Sequence, residues 1–254
     1  MSADGGWIAL FSGGKESSWA LYRALESGCD VRRLVIVTPQ ASSGMYHAPA
    51  TSVARLAARS IGIPVVDAGV PTVDVEPPDV GGDLADGRDG DASVEPLESA
   101  VGTLDVELDG GVAGILVGSV ENELRIDRLR SICDDVGCDL LAPLWRAEPR
   151  ELLETMIDAG LEIVVVEVTA PGFDESWLGR RLDRDALDEL AELHRERDVH
   201  LLGEGGEFET IVTDGPHMSR PVVLEFEREW YDNWGRLRIT DARLDTHAPK
   251  TDRG

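Results

Sequence analysis

The feature that most constrains this chain is the turn Ser12-Gly13-Gly14-Lys15-Glu16-Ser17, set between a short apolar run at residues 7–11 and an amphipathic stretch. In that stretch Trp19, Leu21, Tyr22 and Leu25 recur at helical spacing, and Gly28 closes it. A buried strand therefore passes into a helix through a glycine-rich turn. Residues 31–38 read as a second buried strand. Residues 47–61 read as a helix with Val53, Leu56, Ala57 and Ser60 on one face, and residues 64–69 as a third strand. Strand, helix, strand, helix, strand at this spacing predicts an α/β fold with a parallel sheet and right-handed crossovers.

The pattern then breaks. From residue 72 to about 93, Pro77-Pro78, Gly81-Gly82, Gly87, Gly90 and scattered aspartates leave little to bury, so an acidic, flexible insertion is expected at about 77–93. Helical patterning returns at 96–108, a buried strand at 114–118 and a helix at 121–136. The second half has a different texture. A helix at 149–159, a strand at 162–169 and a helix at 184–197 precede apolar segments at 199–202, 208–213, 222–230 and 234–244, each expected to be a smaller strand. A boundary near Cys138 divides a larger α/β domain, residues 1–137, from a smaller α+β domain, residues 138–254.

Acidic residues number 49 against 24 Lys plus Arg, for a formal charge of −25. Such a surface repels phosphate backbones and argues against electrostatically driven nucleic-acid binding. The only lysines are Lys15 and Lys250. Acidity with lysine scarcity reads mainly as adaptation to high salt, where charges are screened over a few ångströms. No apolar run approaches the roughly 18 residues of a membrane span, and residues 1–6 lack the pattern of a signal peptide, so a cytoplasmic protein is expected. Cys29, Cys133 and Cys138 form no CxxC pair. They suit a reducing compartment and rule out a four-cysteine zinc site.

Chemistry concentrates in two segments. In Ser12–Ser17 the glycines let backbone approach an anion, the helix start aims N–H groups at it, and Ser12, Ser17 and Lys15 add donors and charge. The spacing matches neither a Walker loop nor a dinucleotide fingerprint. In Gly203-Glu204-Gly205-Gly206-Glu207-Phe208-Glu209-Thr210, three glycines within four positions form a turn, and three carboxylates crowd beside it. Like charges that close cost free energy unless a cation neutralises them; the bland alternative is a solvated acidic hairpin.

The first segment resembles the SGG[x]DS signature of PP-loop ATP pyrophosphatases, with Glu16 where the family usually has aspartate. That resemblance implies a nucleotide-binding domain of the adenine nucleotide alpha-hydrolase-like (HUP) class, with Ser12, Gly13, Gly14, Lys15, Glu16 and Ser17 around pyrophosphate. Further segments narrow it: Ser42-Ser43-Gly44-Met45-Tyr46-His47, Gly118-Ser119-Val120, Ala142-Pro143-Leu144-Trp145, Trp177-Leu178-Gly179 and the 203–210 run. Together they resemble the diphthine–ammonia ligase (diphthamide synthetase) family from about residue 7 to 223. The resemblance implies further nucleotide contacts at His47, Gly118 and Ser119, and catalytic roles for Ser12, Lys15, Glu204 and Glu207. It also implies a substrate site built from Gly203, Glu204, Gly205, Gly206, Glu207, Glu209, Thr210 and Trp145. Arg125, Arg128 and Arg130 face phosphates, an acidic partner or solvent. His194 and His200 are expected to be structural.

The activity so implied is amidation of diphthine on elongation factor 2. The carboxylate attacks the α-phosphate of ATP, pyrophosphate leaves into the Ser12–Ser17 cradle, and ammonia displaces AMP. Ammonium, rather than glutamine, is the expected nitrogen donor. Mg²⁺ is expected to arrive with ATP, without a dedicated metal site. Glu204, Glu207 and Glu209 would attract diphthine's trimethylammonium or the ammonium. Neither a nucleic-acid nor a membrane partner is expected, and the oligomeric state stays open, a homodimer included. Two other readings compete: a PP-loop enzyme modifying tRNA by thiolation or lysidine formation, and an ATP-binding regulatory module without turnover. The first lacks a basic surface and cysteine pairs; the second leaves the 203–210 carboxylates without a purpose.

Overall fold

The computed structural model describes residues 5–38, 48–69 and 94–246; side-chain environments are not described at 38, 48–50, 94 and 95. The first sheet holds β1 (Gly6–Leu10), β2 (Val31–Thr38), β3 (Val65–Gly69), β4 (Val112–Leu116) and β5 (Asp139–Leu141), all parallel, in the order β3-β2-β1-β4-β5. Helices α1 (Lys15–Glu26), α2 (Ala48–Ile61), α3 (Val94–Glu107) and α4 (Glu123–Val136) make the crossovers. Chain direction across the sheet reverses between β1 and β4, and a crevice opens beyond their carboxyl ends. The Ser12–Ser17 turn follows β1 and Gly118-Ser119 follows β4, so both border that crevice.

The second sheet is antiparallel, with β6 (Glu162–Val168), β7 (Phe208–Asp214), β8 (Val222–Tyr231) and β9 (Trp234–Leu244) in the order β7-β6-β9-β8. Helices α5 (Pro149–Asp158) and α6 (Arg184–Arg197) accompany it. Pro149 at the start of α5 and Asp183 capping the Ala186 amide begin these helices where a fixed φ and an acceptor are wanted.

Two cores result. Ile8, Val35, Val101, Leu104, Ile115, Ile126 and Leu129 fill one face of the first sheet beneath α3 and α4. On the other face Trp19, Leu21 and Val53 of α1 and α2 share one continuous core with Leu153, Ile163, Leu190 and Val212 of the second half. The sheets are also stitched through backbone, since the Val212 amide donates to the Gly13 carbonyl at 2.8 Å. The edge strand β7 is thereby held against the Ser12–Ser17 turn.

The strand expected at 199–202 is not formed. Val199, Leu201 and Leu202 are buried, but they lie in an irregular turn in which the Gly203 amide donates to the His200 carbonyl. Apolar runs report burial, and a short one does not distinguish an extended segment from a packed turn. The 139–141 strand carried too little pattern to be read in advance. The expected 77–93 insertion, His47 and Lys250 lie outside the described residues.

Candidate active site

Helix α1 begins after Gly14 with no side chain capping its first turn, so its leading N–H groups point into the crevice available to an anion. Around it Ser12 Oγ lies 3.1 Å from Ser17 Oγ, and the Ser17 hydroxyl donates to the Gly14 carbonyl at 3.1 Å. Gly118 lets β4 close onto this turn. A Cβ there would sit 2.6 Å from the Glu16 carbonyl carbon and oxygen and 2.8 Å from the Ser17 nitrogen. Ser119 is 2 % exposed, and its hydroxyl is buried without a hydrogen-bond partner. A buried hydroxyl left unpaired costs free energy that an acceptor on a bound group would recover.

Lys15 joins the two halves chemically. The residue is 2 % exposed, and Nζ donates to the Leu202 carbonyl at 2.7 Å, pairs with Glu16 Oε1 at 2.7 Å and lies 4.9 Å from the Phe208 ring centroid. Phe208 in turn is backed by Phe173 at 5.8 Å, which meets Trp177 edge-on at 5.1 Å. Trp177, 5 % exposed, thus supports the platform under Lys15 as apolar packing.

The 203–207 turn lies immediately beyond Leu202, and its shape has specific causes. Gly203 has φ +70°, and a Cβ would fall 2.6 Å from the Phe208 carbonyl oxygen, so only glycine fits. Glu207 engages both carboxylate oxygens inside the turn, accepting from the His200 amide at 3.1 Å and the Gly205 amide at 2.9 Å. His200 Nδ1 accepts from the Leu202 amide at 3.2 Å, with the Glu204 amide at 3.5 Å, which leaves the proton on Nε2 facing Glu121 at 3.3 Å. From β6, the Thr169 hydroxyl donates to the Gly206 carbonyl and the Thr169 amide to the Glu207 carbonyl. His200 is therefore structural as expected, but the structure it holds is the glutamate turn itself.

Glu204 and Glu209 line the recess so formed. Solvent reaches both, yet protein surrounds each on several sides, and burial raises both carboxyl pKa values above the ordinary range. Glu16 adds repulsion at each, while Lys15 and Arg125 of α4 oppose the rise. The recess therefore places an uncapped helix start and a buried ammonium beside carboxylates that lack enough positive charge. One wall suits a polyphosphate and the other a cation. Thr210, 6 % exposed, continues from this wall into β7, its carbonyl 3.3 Å from where a Cβ on Gly14 would be. Trp145 packs half-buried against the α3–α4 core, with the Arg146 guanidinium 5.6 Å from its ring centroid. Among the described residues no group of three His, Cys, Asp or Glu side chains could hold a metal ion, and no helix is long and apolar enough to cross a membrane.

Glu167 was missed in the sequence, although a charged residue inside the run Val164-Val165-Val166-Glu167-Val168 is itself a signal. It lies across from Glu209 on β7, just after a register shift in β6 between Val165 and Glu167, and across from Arg236 on β9. Burial first, and Glu209 second, push its pKa from 4.5 up to about 7, against the pull of Arg236.

The family model of the diphthamide synthase N-terminal domain matches residues 5–140, and that of the C-terminal domain matches residues 148–244. The chain belongs to the diphthamide synthase family. A zebrafish (Danio rerio) protein named diphthine–ammonia ligase is 27 % identical over 230 residues, spanning 86 % of each chain. The Bos taurus protein of that name is 26 % identical, spanning 85 % of this chain and 82 % of its own. The Homo sapiens protein is 32 % identical over 115 residues, spanning 45 % of this chain and 43 % of its own. Membership of this family makes the chain a carbon–nitrogen ligase.

Proposed function

We propose that this protein is a diphthine–ammonia ligase that activates the diphthine carboxylate of elongation factor 2 as an acyl-adenylate and amidates it with ammonia. The observation that carries this reading is the Lys15–Leu202 hydrogen bond at 2.7 Å, which holds the phosphate-type cradle against the glutamate turn. A ligase of this kind must bring an anionic nucleotide and a cationic substrate to one point, and the recess offers a wall for each.

Ser12, Gly13, Gly14, Lys15 and Ser17 would hold the departing pyrophosphate, with Glu16 pairing Lys15; Gly118 and Ser119 would meet the nucleotide from β4. Lys15 and the α1 amides offset charge developing on the leaving group, commonly the largest catalytic contribution. Mg²⁺ bound to ATP would share that charge. Glu204 and Glu209 face the cationic substrate groups, while Glu207 acts on them indirectly by shaping the turn. The acidic surface is read as salt adaptation in a cytoplasmic, archaeal-type enzyme.

The test is AMP and pyrophosphate release at high salt with Mg·ATP and ammonium, with or without elongation factor 2 carrying diphthine. Release that requires both the modified factor and ammonium is expected. Release driven by tRNA, or by ATP alone, would keep the α-phosphate chemistry and refute the substrate. Within the same reading, Gly118→Ala must push the Glu16–Ser17 peptide aside. It is expected to weaken ATP binding about tenfold or more and to destabilise the fold by about 1–3 kcal/mol. Calorimetric titration and urea unfolding measure the two effects, and unchanged ATP affinity would remove Gly118 from the nucleotide site.

A further inference from the structure

Amidation leaves one chemical demand unmet by the residues assigned so far. At neutral pH the nitrogen donor is almost wholly ammonium, which has no lone pair, so a proton must be removed before the nitrogen can attack. The acceptor must lie close to the acyl group and away from bulk water.

Glu167 is 7 % exposed, and its cross-strand neighbour Glu209 is the carboxylate that feels Lys15 and Glu16. Glu167 sits at the end of β6 that scaffolds the glutamate turn, directly across from Glu209 on β7. Cross-strand partners project to the same side of a sheet with their Cβ atoms a few ångströms apart, so the two carboxylates form a pair on one face. Glu209 is the exposed member of the pair, whereas Glu167 is 7 % exposed. No donor on a described residue is hydrogen-bonded to the Glu167 carboxylate. The nearby cation, Arg236 on β9, gives its Nε to Glu229 at 2.9 Å. Past Glu209 the remaining charges are Lys15 and Glu16 of α1, Glu204, and Arg125 of α4. Two adjacent carboxylates, one of them in a residue only 7 % exposed, are a costly arrangement unless a small cation can enter between them.

We propose that Glu167 and Glu209 bind ammonium and that Glu167 is the base that converts it to ammonia at the acyl-adenylate. This rests on the ligase reading above. Ammonium enters past Glu209 and gives one proton to the Glu167 carboxylate, which becomes a carboxylic acid. The freed lone pair forms the carbon–nitrogen bond, and the acyl–oxygen bond to AMP breaks with its electron pair leaving on AMP. The surplus proton on the new amide nitrogen passes to the departing phosphate or to water. Glu167 then returns its own proton to solvent by way of Glu209. A carboxyl that titrates near neutrality exchanges protons readily in both directions at the working pH.

The experiment compares wild-type protein and Glu167→Gln with two nucleophiles, ammonium chloride and hydroxylamine, each with Mg·ATP and the diphthine-bearing factor. Hydroxylamine is largely neutral at pH 7 and needs no base to free its lone pair. Glu167→Gln is expected to lose about 100-fold in kcat/KM for ammonium at pH 7, yet to form hydroxamate within a few-fold of the wild-type rate. The ammonium deficit should shrink as pH rises into the range where free ammonia prevails. Equal losses with both nucleophiles would make Glu167 structural and overturn the proposal, as would undiminished ammonium turnover. Retained hydroxamate formation also shows that the variant is folded. If wild-type protein releases no AMP with either nucleophile, the ligase reading itself fails and takes this inference with it.

Discussion

Replacing Lys15 with methionine is expected to lower AMP formation from the diphthine-bearing factor by about a thousandfold or more, the scale of removing a preorganised charge from an acyl- or phosphoryl-transfer site. Methionine keeps most of the stem that packs over Phe208, so lost volume contributes little. What disappears is a charge serving four partners at once: the Leu202 carbonyl, Glu16 Oε1 and, through space, Glu204 and Glu209. The buried Leu202 carbonyl would lose its hydrogen bond at a cost of about 1–3 kcal/mol. Glu204 and Glu209 would also lose a cation that restrains their pKa values, so both would shift further upward and carry less charge at neutral pH. Pyrophosphate release and factor binding should therefore fall together, which a lysine serving only the phosphates would not cause. Initial rates of AMP release, set beside binding of the modified factor and urea unfolding, separate these effects. Activity within tenfold of wild type would remove Lys15 from the catalytic machinery.

The same lysine marks where sequence reasoning stops. The strand–turn–helix around Ser12–Ser17 was legible because apolar period, glycine pair and helix start lie within about twenty residues and obey local rules. The α/β class followed from repetition of that unit. The partner of Lys15 was not legible, because Leu202 lies 187 residues away and offers only a backbone carbonyl, an acceptor every residue possesses. The 199–202 run suggested a strand, yet its apolar side chains serve to bury a turn whose purpose is to present that carbonyl. Glu207 illustrates the converse. Its composition placed it with Glu204 and Glu209, but the conformation demanded by Gly203 folds its carboxylate back onto the His200 and Gly205 amides. Glu167 escaped because its partner depends on register: the one-residue shift between Val165 and Glu167 is what sets it across from Glu209, and alternation alone would not show it.

Register also gives Glu167 a signature in stability that needs no substrate. Its pKa rises from 4.5 to about 7 on folding, chiefly through burial and then through Glu209. A group whose pKa is raised in the folded state binds more protons there than in the unfolded chain. Its contribution is therefore fully present below about pH 4.5 and is lost as pH climbs through 7. At about 1.4 kcal/mol per pH unit, ionising Glu167 in place costs the folded protein about 3 kcal/mol by pH 8. Glutamine has the same shape, cannot ionise, and offers its amide to Glu209. Glu167→Gln is thus expected to be about 3 kcal/mol more stable than wild type at pH 8 and nearly equal to it at about pH 4, read from urea unfolding at high salt. Equal stability of the two proteins at both pH values would show that the carboxylate is well solvated or well paired. It would then be no candidate for holding and releasing a proton. A variant that gains stability while losing ammonium-dependent turnover would locate in one side chain the strain that the site maintains for its chemistry.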